Sequence, residues 1–276
     1  GSMTTIPVSA VLITRDAEAH LARVLAAVAA CGDIVVLDSG STDRTREIAA
    51  AAGARWHEHP FDGFGPQKRR AVELASHDWV LAVDADEVLD EAARRALAAV
   101  DWGGADPATC WRVRRRPFVG RREIRHGHWV PDRVVRVFHR RRHTFTADPV
   151  HESVRPSGPV LDLPGSLLHF SYPDLAAVFR PELHRLKAER YRRQGRRAGA
   201  LLLTARATGV FLRSLVLRRG FLDGPAGVVV ALAGAVGAVV GLAMASDDAA
   251  AAGPPDSAMI RAARRGSPGA QEGSDG

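Results

Sequence analysis

Cysteine is nearly absent: the 276 residues contain two, Cys31 and Cys110. They lie far apart and outside any C-x-x-C spacing, which excludes a secreted disulfide framework and a zinc module and leaves a reducing, cytoplasmic compartment as the default. Lysine is equally scarce. Only Lys68 and Lys187 occur among 38 basic residues, so the net charge of +7 is carried by arginine. Aromatic residues make up 6% of the chain and are not interleaved with the arginines. That removes the stacking pattern of single-strand nucleic-acid binders, and no recognised nucleic-acid motif is present. Gly1-Ser2-Met3 reads as an expression scar, with no signal-peptide pattern after it. What is present, 46% hydrophobic and 25% charged residues, is the balance of a globular enzyme of one large or two small domains.

The arginines are clustered. Twelve fall between Trp111 and Phe145 against Glu123 and Asp132, and eleven, with Lys187, fall between Arg180 and Arg219 against Glu182 and Glu189. An anionic partner is expected, and phosphorylated substrates, acidic lipid headgroups and nucleic acid fit that field alike. Most of the first cluster reads as solvated surface.

The first hundred residues alternate short apolar runs with helical ones. Strands are expected at Val8–Thr14, Asp33–Asp38, Arg55–His57 and Trp79–Asp84, and helices at Ala17–Ala30, Thr42–Ala52 and Pro66–Ala75. Runs such as Ile34-Val35-Val36-Leu37, without alternation, mark strands covered on both faces, and a β-α-β-α series builds an open parallel sheet. After Asp101 the period becomes two, at Cys110–Val113 and Val134–Phe138, broken by prolines and glycines, which suggests antiparallel strands and long loops. From Leu175 the pattern is helical and basic. Ala226–Ala245 has no charge and is long enough to cross a bilayer, but its Ala-Val-Gly composition suits a buried helix equally well. Gly237 and Gly241 form a small-x-x-x-small pair for close helix packing. The organisation expected is a catalytic domain over 4–174, a basic and apolar helical region over 175–245 that associates with a membrane, and a disordered tail over 246–276.

Three acids, Asp84, Asp86 and Glu87, end the apolar strand at Val83, where open α/β sheets bind ligands. A turn there could bring Asp84 and Asp86 to one hard cation; the plain alternative is that Asp86, Glu87 and Asp90 cap the next helix. Asp38 ends an earlier strand ahead of Ser39-Gly40-Ser41-Thr42-Asp43, whose Ser41 or Thr42 could cap a helix, and the same sheet edge presents Thr14 and Arg15.

Val11-Leu12-Ile13-Thr14, Val36-Leu37-Asp38-Ser39-Gly40-Ser41-Thr42-Asp43, Gly63-Phe64-Gly65-Pro66-Gln67-Lys68 and Val83-Asp84-Ala85-Asp86-Glu87 stand in an order and spacing that resembles family 2 glycosyltransferases. Gly127-His128-Trp129-Val130-Pro131-Asp132, Arg136-Val137-Phe138, Val150-His151-Glu152, His169-Phe170-Ser171-Tyr172 and Gly220-Phe221-Leu222-Asp223-Gly224 resemble the branch with lipopolysaccharide core β-1,4-glucosyltransferases. The chain departs from the usual family pattern at Asp16-Ala17 and at Arg69. The resemblance implies a GT-A fold (an α/β, Rossmann-like, mostly parallel sheet), a nucleotide-sugar donor, Mg²⁺ or Mn²⁺, and inversion at the anomeric carbon. It also implies a glycolipid or saccharide acceptor at the inner face of the cell membrane. Donor binding would fall to Thr14, Arg15, Asp38, Lys68, Asp84 and Arg136, and the metal to Asp86 and His151. Inversion needs a separate carboxylate base, for which Glu152 is preferred and Asp132 is the alternative, with His169 a secondary site residue and Asp174 a further one. Two other readings stand beside this one: a nucleic-acid-binding protein, and a catalytically silent nucleotide-sugar binder.

Overall fold

The computed structural model describes residues 5–147, 152–195 and 198–247, so His151 and the tail from 248 lie outside the described residues. Two compact units are present: residues up to Arg180 together with Val210–Gly234, and Pro181–Gly209 together with the chain from Ala235.

The first unit is built on one sheet. Its strands are β1 (Ile6–Thr14), β2 (Cys31–Asp38), β3 (Arg55–Glu58), β4 (Trp79–Ala82), β5 (Glu87–Leu89), β6 (Cys110–Val119), β7 (Arg122–Glu123), β8 (Asp132–His139) and β9 (Val160–Tyr172), in the order β3-β2-β1-β4-β8-β6-β9-β5, with β7 paired to β6. Strands β3, β2, β1 and β4 are parallel; β8 joins β4 and β6 in antiparallel fashion, and β9 runs parallel to β6. Side chains on β1 alternate between two cores, which explains the unbroken apolar runs. Ala10 and Leu12 join Leu21, Leu25, Trp79 and Trp111 on the face of helices α1 (Leu21–Ala27) and α4 (Glu91–Ala98), whereas Val11 joins Leu37, Val72 and Phe138 on the face of α3 (Phe64–Glu73).

Helix α2 (Thr45–Ala51) starts later than its sequence suggests, and Asp43 rather than Ser41 or Thr42 holds its first turn, accepting from the Thr45 amide at 3.0 Å. A larger difference is β9. This thirteen-residue strand, for which the sequence pattern gives no expectation, runs through Pro164-Gly165. Gly165 has φ of +92°, and a Cβ there would lie 2.1 Å from the Ala93 nitrogen, because the strand crosses the first turn of α4 at backbone contact. Only glycine meets both demands.

Helix α7 (Pro225–Ser246) is long and apolar enough to cross a membrane by length and composition. Within the first unit its Ala226, Val230 and Ala233 pack with Val119, Ile124 and Val178, and with partly buried Trp129 and Tyr172. The second unit contains α5 (Pro181–Arg193), most of α6 (Ala200–Leu212) and the rest of α7. There Gly237 and Gly241 admit α5: a Cβ on Gly241 would lie 2.8 Å from the Lys187 Cβ. Arg192 donates to the Met244 carbonyl at 2.8 Å, and Arg206 to the Tyr191 hydroxyl at 3.2 Å.

The crossing at Gly165 yields a stability prediction. Gly165→Ala combines left-handed strain with collision and should lower Tm by about 4–10 °C. Gly53→Ala, also at positive φ but with no atom within 4 Å of the new Cβ, should cost no more than about half of that. Thermal unfolding of the two variants side by side checks this; equal shifts would mean that the crossing tolerates a methyl group.

Candidate active site

Three parallel strands end together. At the end of β1 the Thr14 hydroxyl donates to Asp38 at 2.7 Å, and at the end of β2 Asp38 also accepts from the amides of Gly40 (2.8 Å) and Ser41 (2.7 Å) and from the Ser41 hydroxyl. Gly40 adopts φ of +87°, which lets the chain fold back over the carboxylate. Asp38 is 2% exposed, its acceptor sites filled by its own chain.

At the end of β4 the strand does not continue; the Glu87 amide donates to the Asp84 carbonyl at 3.0 Å and closes a turn that keeps Asp84 and Asp86 on the lining of one cavity and turns Glu87 inward. Asp90, not Asp86 or Glu87, caps α4, accepting from Ala93 at 2.9 Å. Glu87 is fully buried. Asp84 takes Lys68 at 2.6 Å and Arg136 at 2.7 Å. Lys68 reaches on to Glu152 at 2.7 Å, Arg136 to Glu87 at 2.6 Å, and Arg115 links Glu87 (3.3 Å) to Asp132 (2.6 Å). The result is one row of alternating sign: Glu152, Lys68, Asp84, Arg136, Glu87, Arg115, Asp132. Four carboxylates face three cations in it, so the row keeps a negative surplus.

The surroundings polarise each member. Burial by itself would raise the Asp84 pKa, but Arg136 and Lys68 beside it hold the carboxyl well below the ordinary range. Burial would likewise lower Lys68, yet Asp84 and Glu152 outweigh it and the ammonium is held above its usual value. Arg136 is shifted upward for the same reason, by Asp84 and Glu87 against its burial.

Two cavities meet at this row. The larger, about 440 Å³, is lined by Thr14, Arg15, Ser39, Lys68, Asp84, Asp86, Glu152 and His169, with Phe61 and Phe64 packed edge to face at 5.0 Å on its wall. The smaller, about 360 Å³, is lined by Arg115, His128, Trp129, Asp132, His169, Ser171 and Tyr172. His169 borders both, its Nε2 3.5 Å from Asp86 Oδ2. Trp129 and Tyr172 lie stacked at 5.3 Å, 12° from parallel.

Of the residues expected from the sequence, Thr14, Arg15, Lys68, Asp84, Asp86 and Glu152 come together at the larger cavity. Asp132 stands in the smaller one, and Asp174 caps the turn at Ala177. Asp38 and Arg136 line neither cavity: the first is enclosed by its turn, and the guanidinium of the second is taken by Asp84 and Glu87. The arginine cluster read as solvated surface is largely that: eight of its twelve arginines are exposed, several of them paired there, Arg112 and Arg133 to Asp162, Arg125 to Glu123 and Arg141 to Asp78, while Arg115 and Arg136 turn into the site. Glu87, Arg115, Phe61 and Phe64 were not singled out as site residues. Glu87 stood in the acidic triplet and Phe64 beside Gly63; Arg115 carried no local signal.

Residues 9–156 match the family described as Glycosyl transferase family 2. The chain is 33% identical over 246 residues to the lipopolysaccharide core biosynthesis glycosyltransferase LpsC of Rhizobium meliloti, covering 84% of this chain and 88% of that one. It belongs to glycosyl transferase family 2, and its mixed α/β sheet is of the GT-A kind. Among solved structures it is similar to glucosyl-3-phosphoglycerate synthase from Mycobacterium tuberculosis, crystallised with Mn²⁺, UDP and glucosyl-3-phosphoglycerate (25% identity, 41% of this chain and 43% of that one, TM-score 0.32). It is also similar to residues 1–349 of S. aureus TarS (15% identity, 67% and 64%, TM-score 0.44). The chain thus spans less than two thirds of either solved structure.

The row makes a pH-dependent prediction. Asp84 has a folded pKa below its unfolded value, so its contribution to stability is complete above about pH 4 and drains away as pH falls further. Lys68→Met removes one of its two cations and should cost about 3 kcal/mol at neutral pH, the scale of a broken buried pair. The difference in Tm between wild type and variant should be largest near neutrality and narrow in acid. A gap that stays constant with pH would assign Lys68 a packing role alone.

Proposed function

We propose that the protein transfers a hexosyl or heptosyl group from a nucleotide-diphosphate sugar to a glycolipid or saccharide acceptor, with inversion. The observation that carries this reading is the meeting of two cavities at one charged row, with a carboxylate at each end. In this reading the larger cavity takes the donor, with Arg15 and Lys68 facing its diphosphate and Thr14 and Ser39 its nucleoside. Asp38 and Arg136 act one step removed, the first by holding the Ser39–Ser41 turn and the second by fixing Asp84. The smaller cavity takes the acceptor, its stacked Trp129 and Tyr172 offering an apolar wall to a sugar ring.

Among the described residues no group of three His, Cys, Asp or Glu side chains converges as a metal cage. The donor set nonetheless fits a hard cation shared with a ligand: Asp86 supplies a carboxylate on the lining of the larger cavity, His169 a ring nitrogen 3.5 Å from it, and the row behind them a negative surplus. Asp86 and His169 would hold Mg²⁺ or Mn²⁺, and His151 stays a candidate from the sequence. Bound there, the ion neutralises charge on the departing diphosphate.

Glu152 is the base in this reading, oriented by Lys68 in the donor cavity. Asp132 is the second candidate, favoured by its place in the smaller cavity. LpsC's role in lipopolysaccharide core synthesis supports a glycolipid of that class as acceptor, and with it work at the cytoplasmic face of the membrane. The want of aromatic residues interleaved with the arginines supports a transferase over a nucleic-acid binder. Turnover separates it from a silent sugar-nucleotide binder.

Glu152→Gln keeps shape and loses basicity, so donor affinity should survive while kcat falls by about 10²–10⁴. Asp132→Asn should cost less. Measuring donor affinity and turnover for both decides the base, and the reverse ranking transfers the role to Asp132. Asp86→Asn should abolish transfer and weaken donor binding only when Mn²⁺ is present. Full activity in excess EDTA would remove the metal from the scheme.

A further inference from the structure

A π-helical turn over Arg213–Leu217 and a 3-10 turn over Gly220–Asp223 follow α6 within the first unit. Eleven residues here, 212–222, expose Leu212 (49%), Val216 (53%), Leu217 (77%), Phe221 (54%) and Leu222 (55%). A soluble surface rarely gathers so many large apolar side chains in so short a stretch. The charges among them have one sign, with Arg213 and Arg219 exposed as well. Asp223, the nearest acid, is turned inward: it accepts from the amides of Arg125 (3.0 Å) and His126 (2.8 Å) and contacts the His126 ring at 2.9 Å.

The stretch is also tied to the smaller cavity. The Gly127 amide donates to the Arg218 carbonyl at 2.9 Å, the His128 amide to the Ser214 hydroxyl at 3.1 Å, and the Arg218 guanidinium to the carbonyls of His128 and Val130 at 3.5 and 3.4 Å. The loop so held, 125–131, carries His128 and Trp129 into that cavity.

We propose that residues 212–222 are a docking surface for an anionic lipid bilayer, inserting Leu217, Phe221 and Leu222 among the acyl chains while Arg213 and Arg219 meet the headgroups. Charge of one sign around an exposed apolar group selects a lipid surface over a second protein. Resting on the reading of the smaller cavity as the acceptor site, the proposal narrows the acceptor to a membrane-anchored saccharide, presented to a loop that the docked segment braces.

The test uses the full chain and vesicles of phosphatidylcholine with and without phosphatidylglycerol. Wild-type protein should pellet with the anionic vesicles and far less with the neutral ones. Replacing Leu217, Phe221 and Leu222 together by serine should lower partitioning by about tenfold or more. Arg213→Gln with Arg219→Gln should lower it by about five- to thirtyfold, on anionic vesicles only. Thermal unfolding and UDP binding with Mn²⁺ should match wild type in both variants. Amide exchange across 125–131 should slow when wild type binds vesicles. The proposal falls if wild type ignores the vesicles, if the serine variant binds them as well as wild type, or if exchange in the loop is unchanged. It falls also if light scattering shows that the serine change splits a dimer without altering partitioning. Vesicle binding by a protein that neither binds UDP nor turns over any nucleotide sugar would keep the docking surface and remove the transferase reading.

Discussion

The alternating row from Glu152 to Asp132 is the constraint on which the site depends. Each internal member touches two opposite charges, and most of the row is shielded from water, with Glu87 wholly enclosed. Taking such groups out of water is expensive, and their mutual attraction offsets that only while each contact is kept. Loss of one partner therefore strands its neighbours as well. The row fixes the end of β4, the loop bearing Glu152 and strands β6 and β8 in one geometry, so the two cavities share a wall that cannot be adjusted on one side alone.

Local chemistry made part of this legible. Strands β1, β2 and β4 show in the sequence because both faces of each are covered, and covered strands read as unbroken apolar runs. The strand ends at Thr14, Asp38 and Asp84 follow from that. Glu87 shows how far such reading reaches. The sequence offers it as one of three acids at a strand end or as a cap of the next helix; it caps nothing, and its partners Arg115 and Arg136 lie 28 and 49 residues away, where nothing local points to them. The same holds for the arginine cluster, whose partners Asp78 and Asp162 come from outside it.

Strand β9 was hidden for a different reason. Pro164-Gly165 is a turn signal in isolation, and here tertiary contact overrides it: β6 pairs with the strand on both sides of the break and α4 presses against it at Gly165. Helix α7 resisted reading as well, since length and apolarity are shared by spanning and buried helices; its first half packs on Val119 and Ile124, and Gly237 and Gly241 serve α5. Helical spacing alone carries no information on which neighbour a face will meet.

Residues 210–234 belong to the unit that begins the chain, and this has a consequence for the order of assembly. During synthesis the parallel strands, the turn at Asp38 and the row of charges can all be in place once β9 has emerged. The loop carrying His128 and Trp129 cannot, because Ser214 and Arg218, which hold it, and Val230, which lies under it, are made only later. The larger cavity is thus complete while the smaller one still lacks its floor. A ribosome-bound chain at that stage can fill its first cavity well before it can shape its second.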